Sequence, residues 1–337
     1  MTDTALRRIW DEFRDSRFLP ATVTVLILGC TAGLFVGAYS YATANPKPER
    51  IPIAVVGGLS TIQAHQLEAE LETALGSSLD IQHVADRARA LNMVQEQKTF
   101  AVIETTPGSS ELALYLSSAS GQSVATLLEE SVPPILDHDG FTVSTTDINP
   151  LQEGDPHGLT IFYMTIAAVV VGFGGAVQLG VNGKALRPWE RIGFTVAYAL
   201  LGGFAMAAVV DWVLGALRLS FVESWLIVAL TMFTCGMVFT MFSALFGRWA
   251  MIPTWALMIL LGNPSSGGSV SWPLLPRMLA TIGGWLPPGA SVYAQHTAVY
   301  FRYHQHVWPF LVLFGWSAVS VVVYLVKSRP AGAVVAG

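Results

Sequence analysis

Charge is what this sequence has least of. Only 12% of its 337 residues are Asp, Glu, Lys or Arg, against 53% hydrophobic, a balance that excludes an ordinary soluble domain. Cysteine is nearly absent. Cys30 and Cys235 each sit within a long apolar run, so no disulfide framework is available. The motifs of catalysis are missing as well. No G-x-x-x-x-G-K-[ST] occurs, and the stretch from Gly180 to Lys184 lacks the spacing and the Ser/Thr needed to cradle a nucleotide phosphate. There is no H-E-x-x-H and no G-x-S-x-G. Asp137-His138-Asp139 has no distant partner pattern that would make a metal site. The sequence therefore implies no enzyme, no cofactor, no metal centre and no nucleic-acid partner.

What is present in quantity is apolar length. A helix needs roughly 20 apolar residues to cross a bilayer, and Leu19 to Ala44, Leu159 to Val181, Ile192 to Leu217 and Ser224 to Phe246 meet that length. Val307 to Val326 makes a fifth crossing, and Trp249 to Gly262 makes a sixth that is short. The expected fold class is an α-helical integral membrane protein with one crossing before and five after an exported domain. Lys and Arg set the orientation. Arg7, Arg8, Arg14, Arg17, Lys184, Arg187, Arg191, Arg248, Lys327 and Arg329 all fall on one side if both termini are cytoplasmic; Arg218, Arg277 and Arg302 fall on the other. Residues 4–17 place Leu6, Ile9, Trp10 and Phe13 on one helical face, so residues 1–18 read as an amphipathic helix on the inner surface. Ala42-Thr43-Ala44 resembles a signal-peptide cleavage site, but the apolar run before it exceeds an h-region and reads as an uncleaved anchor.

Residues 45–157 then lie outside the cytoplasm. They hold sixteen acidic and five basic residues (−11), while the rest of the chain holds seven and thirteen (+6), which together give the net −5. Strand-like Ile51–Val56, Asp80–Val84, Thr99–Ile103 and Glu111–Leu116 alternate with helical Thr61–Leu75, Ala85–Gln97 and Gln122–Val132, the last expected to stop before Pro133-Pro134. The order βαβαββα implies a small α/β domain with a mixed sheet.

Beyond the short crossing the chain breaks into Asn263-Pro264-Ser265-Ser266-Gly267-Gly268, continues through Leu275-Pro276, and reaches Trp285-Leu286-Pro287-Pro288-Gly289. Irregular backbone is tolerated at membrane depth only against protein or a water-filled cavity. With this stretch, and with Ala101-Val102-Ile103 following a helix of Asp-x-x-x-Ala type at Asp86 to Ala90, the chain resembles the ABC-2-type membrane proteins, in particular their YhgE/Pip-like branch. The resemblance covers most of the chain. It implies a bacterial plasma-membrane permease subunit of an exporter, paired with a separate ATPase and acting as a dimer; the apolar membrane half, nearly free of charge, suits a lipid, amphiphile or other hydrophobic compound better than a small ion. It also implies a re-entrant helical pair at about 263–304, Trp272 to Trp285 and Ala290 to Phe301, with Pro287, Pro288 and Gly289 at the bend; the alternative is an external loop resting on the membrane. An ATPase would dock on Asn182 to Arg191, where Lys184, Arg187, Trp189 and Arg191 lie. Residues 327–337 would form a cytoplasmic tail. The competing expectation is a non-transporting scaffold or receptor whose exported domain binds a protein partner.

Two further expectations come from spacing. Gly29, Gly33 and Gly37 form overlapping GxxxG units, and Gly172, Ala176 and Gly180 repeat the small-residue spacing, so the first and second crossings are expected to pack on each other within one subunit, the alternative being a dimer contact. Asp211, Arg218 and Glu223 are expected to form an ion pair at the outer interface, and His304 and His306 to belong to an aromatic belt with Tyr300, Tyr303 and Trp308.

Overall fold

The computed structural model describes residues 18–43, 50–57, 79–105, 110–138 and 141–328, with single positions at 16, 48, 69 and 73. The expected helices at 4–17 and Thr61–Leu75, Asp139, and the tail beyond Ser328 lie outside the described residues. The described residues are mostly helical, with one five-stranded sheet.

That sheet has the order β2-β1-β3-β4-β5, built from Ile51–Gly57 (β1), Leu79–Val84 (β2), Ala101–Thr105 (β3), Glu111–Leu116 (β4) and Thr142–Asp147 (β5). It is mixed: β1 runs parallel to β2 and β3, β3 is antiparallel to β4, and β4 is parallel to β5. The interior strand β1 is buried from Ile51 to Val56 on both faces, which is why it reads as an unbroken apolar run. Its odd residues Ile51, Ile53 and Val55 join one core with Val124, Leu128, Val132 and Leu136 of helix α3 (Gln122–His138). Its even residues Ala54 and Val56 pack with Ala90 and Val94 of helix α2 (Arg87–Gln95). Asp86 caps α2, accepting the Arg89 N–H at 3.2 Å, so the Asp-x-x-x-Ala spacing supplies one cap and one flat contact with the sheet.

Two departures from the sequence reading occur in this unit. Strand β5 is a fifth strand; its threonines lie largely exposed at a sheet edge, so no apolar alternation announced it. Helix α3 does not stop before Pro133 but passes through Pro133 and Pro134 to His138. The two prolines forfeit bonds to the carbonyls of Glu129 and Glu130, both exposed residues. A helical proline costs about 3 kcal/mol, while burying Val124, Leu128, Val132 and Leu136 contributes roughly 1.5–3 kcal/mol each. Tertiary burial wins.

Among the described residues, five helices are long and apolar enough to cross a membrane: Leu19–Thr43, Thr160–Asn182, Pro188–Val213, Phe221–Trp249 and Trp308–Lys327. Within these spans α1 is Leu19–Thr43, α4 Thr160–Asn182, α5 Pro188–Ala208 with a π turn at Val209–Val213, α6 Phe221–Phe246 and α10 Trp308–Lys327. Against the expected Ile192 to Leu217, the third of these begins four residues earlier, because Pro188 is suited to a first helical turn and Glu190 accepts the Arg187 N–H at 2.8 Å. The stretch counted as the sixth crossing is helix α7 (Met251–Trp255) with a π-helical extension, Ala256–Gly262. Those residues rise only about 18 Å, well short of a hydrocarbon core of about 30 Å.

Helix α6 is the hub. It is apolar all round and buries Ile227, Val228, Met232, Cys235 and Val238 against its neighbours. Close backbone approach supplies much of the packing. A Cβ on Gly172 of α4 would stand 2.6 Å from the Met232 carbonyl oxygen, and one on Gly203 of α5 would stand 2.8 Å from the Ala229 nitrogen. The Tyr198 hydroxyl donates to the Gly172 carbonyl at 2.7 Å and so ties α5 to α4.

Candidate functional site at the junction of the sheet unit and the broken helix

The break after α7 is held by its own side chains. Ser265 donates its hydroxyl to the Leu261 carbonyl at 2.7 Å, and Ser266 donates to the Asn263 carbonyl at 2.7 Å. The Gly268 N–H in turn donates to Ser266 Oγ at 3.3 Å. These bonds satisfy groups that a continuing helix would have paired. Gly267 has φ +77°, a backbone conformation that other residues resist. Asn263 is 2% exposed and its Oδ1 has no partner.

Past the break the chain packs back tightly. The stretch expected to be helical from Trp272 to Trp285 is a single turn, Trp272–Leu274, and a short helix α8, Arg277–Gly283. Pro276 and the glycines at its end keep α8 short. Pro287 and Pro288 are not a bend between helices but the first turn of helix α9, Pro287–Tyr300, where a missing N–H costs nothing. Gly283 and Gly289 mark the closest approaches. A Cβ on Gly283 would lie 1.8 Å from the Ser265 carbonyl oxygen, and one on Gly289 would lie 2.1 Å from the Gly283 oxygen.

This hairpin also clasps the sheet unit. Ser271 N–H donates to Ser123 Oγ at 3.0 Å, the two hydroxyls lie 2.9 Å apart, and the rings of Phe100 and Trp272 meet at 5.9 Å. Leu274 enters the same core as β1 and α3. Where the sheet unit gives way to the bundle, Asp155 accepts the N–H groups of Leu159 and Thr160 at 3.0 Å each, anchoring the start of α4.

Between these parts lies a cavity of about 400 Å³. The break contributes Ser265 through Ser269; the sheet unit contributes Gln97, Thr99, Phe100, Ser118 and Ser120 through Ser123; α9 contributes Gly289, Val292, Tyr293 and His296. Among the described residues, no Asp, Glu, Lys or Arg lines it. Its polarity comes from hydroxyls, amides, His157 and His296, its flat surfaces from Phe100, Trp272 and Tyr293. Two lining groups are buried with no partner: Thr99 Oγ1, on a residue 1% exposed, and Gln97 Nε2. Such orphans carry a desolvation cost unless something fills their hydrogen-bonding capacity.

The sequence reading found the break but not the opposite wall. The signal was there. Ser117-Ser118-Ala119-Ser120-Gly121 follows β4 with the same small hydroxyl-rich composition as Pro264 to Gly268. Of the break residues, Ser265, Ser266, Gly267, Gly268 and Gly289 line the cavity; Asn263, Pro264, Pro287 and Pro288 do not.

The remaining expected site residues lie elsewhere. Lys184, Arg187 and Trp189 are exposed at the far end of α4, a helix of 23 residues and so roughly 34 Å long. Arg191 is turned back, with Nη2 donating to the Gly183 carbonyl at 3.3 Å. Gly29, Gly33 and Gly37 do not pack on α4: a Cβ at any of them meets nothing within 4 Å, while Gly172 faces α6. α1 instead touches the bundle through Phe35, whose ring lies 6.5 Å from Trp255, and through Ala42 beside Leu275 and Leu279. Asp211, Arg218 and Glu223 form no ion pair among the described residues. The Arg218 backbone N–H donates to Gln152 Oε1 at 2.7 Å, and the Glu223 carboxylate accepts from the neutral amide of Gln305 in place of the expected cation. His306 stacks on Tyr293 at 5.2 Å. Compared with known proteins, the chain matches no family model and none of the curated proteins.

Proposed function

We propose that this chain is the permease subunit of an ABC-2-type exporter, with residues 45–157 outside, both termini inside, and the segment from Asn263 to about His304 re-entering the outer leaflet. The cavity between that segment and the sheet unit receives the polar end of an amphiphile on its way outward. The observation that carries this reading is the uncharged cavity, one wall of which is a helix break mended by Ser265 and Ser266. Broken helices lining a polar cavity are how membrane proteins build substrate paths. The six-crossing count holds if α7 and its re-entrant partners together complete the sixth. Energy comes from a separate ATPase at Lys184, Arg187 and Trp189.

Substitution of Ser265 and Ser266 by cysteine, after removal of Cys30 and Cys235, tests the gate. Slow labelling by an impermeant thiol reagent on intact cells, accelerated when the partner ATPase turns over, supports it. Immediate and complete labelling at both positions refutes a protected break. The scaffold reading is favoured by one observation, the brevity of the connection at 183–187 between α4 and α5, which leaves little surface for an ATPase. Co-purification in mild detergent separates the two: an ATPase partner supports export, and an external protein held by residues 45–157 supports the scaffold.

A further inference from the structure

A second, smaller cavity of about 270 Å³ abuts the first, and Trp272 and Ala280 belong to the walls of both. Its character is opposite. Arg50 and Arg277 both face it, with Thr281 beside them, and neither guanidinium has an acidic or hydrogen-bonding partner among the described residues. Arg50 has a backbone φ of +51°, a conformation that a non-glycine residue adopts at a cost. Next to the arginines, α8 presents exposed Met278, an apolar surface on which hydrocarbon can lie. The juxtaposition is thus an apolar face, then two unpaired guanidinium groups, then an uncharged hydroxyl-lined cavity containing the unpartnered Thr99 Oγ1 and Gln97 Nε2.

We infer that the two cavities together bind a lipid phosphodiester whose headgroup is an uncharged polyol or sugar: Arg50 and Arg277 hold the phosphate, and the headgroup hydroxyls enter the larger cavity to pair with Thr99 and Gln97. This assignment rests on the reading of the larger cavity as the substrate site and names the substrate class. Guanidinium forks match phosphate oxygens in geometry and charge. A purely anionic headgroup finds no cation in the larger cavity, and a neutral glycolipid leaves both arginines unpaired.

The test is native mass spectrometry of the full chain in detergent with three added lipids: phosphatidylinositol, which has both features; phosphatidic acid, which has the phosphate alone; and diglucosyl diacylglycerol, which has the sugar alone. Phosphatidylinositol is expected to bind most tightly. Arg50→Gln with Arg277→Gln weakens phosphatidylinositol and phosphatidic acid by roughly tenfold or more and leaves the glycolipid unchanged. Thr99→Val does the reverse, weakening phosphatidylinositol and the glycolipid while sparing phosphatidic acid. Because Thr99→Val removes an unsatisfied buried hydroxyl, it does not lower the thermal midpoint of the lipid-free protein, so its effect on binding is not a folding defect. Arg277→Lys, which keeps the charge, retains partial phosphatidylinositol binding. Equal retention of all three lipids by all variants overturns the assignment, as does displacement of phosphatidylinositol by millimolar inorganic phosphate, which marks a free-phosphate site. Intact phosphatidylinositol binding without export refutes the transporter reading alone; export that survives loss of phosphatidylinositol binding refutes this one alone.

Discussion

Gly283 and Gly284 are neighbours with opposite expected responses to the same methyl group. A Cβ on Gly283 stands 1.8 Å from the Ser265 carbonyl oxygen, where ordinary contact begins at 3.4 Å. The obstacle is backbone, which has no rotamer to yield, so the break and α8 must separate by about 1.6 Å to admit it. Gly289 presses on the Gly283 oxygen from the other side, and movement of one contact strains the next. Overpacking of this kind costs about 1–3 kcal/mol. Gly284, by contrast, has φ −65° and ψ −12° with nothing within 4 Å of an added Cβ. Alanine there narrows the unfolded ensemble and stabilises by about 0.4–1 kcal/mol. Thermal unfolding of the two variants in one detergent checks the pair: Gly283→Ala melts below wild type and Gly284→Ala at or above it. A Gly283→Ala protein as stable as wild type means that the contact between the break and α8 is not made, and the larger cavity loses that wall.

Three other outcomes are expected. Asp155→Ala removes the acceptor for the first amides of α4 and lowers stability by about 1–2 kcal/mol in the same melt, whereas Asp155→Asn retains much of it. Tyr198→Phe deletes the hydroxyl that donates to Gly172 and costs about 1 kcal/mol; an unchanged midpoint shows that water replaces the bond. Gly33→Leu leaves the melting of the isolated chain unchanged, because no neighbour in the chain lies within 4 Å. If that variant fails to accumulate in cells while melting normally, a second membrane chain packs on the Gly29/Gly33/Gly37 face.

How legible each part was depended on whether its cause is local. Strands β1 to β4 carry their own apolar pattern, and Asp86 and Ala90 announce the cap and contact of α2. The long helices follow from length alone. Strand β5 exists because β4 offers an edge, and its exposed threonines record nothing of that partner. α3 crosses two prolines because a sheet lies beneath Leu128, Val132 and Leu136, which a breaker rule cannot see. The glycine spacings were real signals with the wrong addressee: Gly172 meets α6, not α1. In the site, the self-pairing of Ser265 and Ser266 was readable because it spans only a few residues. The wall from Gln97 to Ser123 was not, since its contact with Ser271 spans 148 positions.

The bareness of α1 has a consequence for how the chain tolerates change. Its 25 residues bury only Ala42, and it meets the described bundle mainly along Ala256–Gly262, with the Phe35 ring near Trp255 and the Tyr39 side chain beside Asn263. Such a helix works as a mooring line rather than as masonry. A foreign apolar helix of equal length, grafted in its place with the Phe35, Tyr39 and Ala42 positions retained, leaves the bundle and the broken hairpin standing. Among the described spans, this is the one open to exchange for tags, reporters or another protein's anchor.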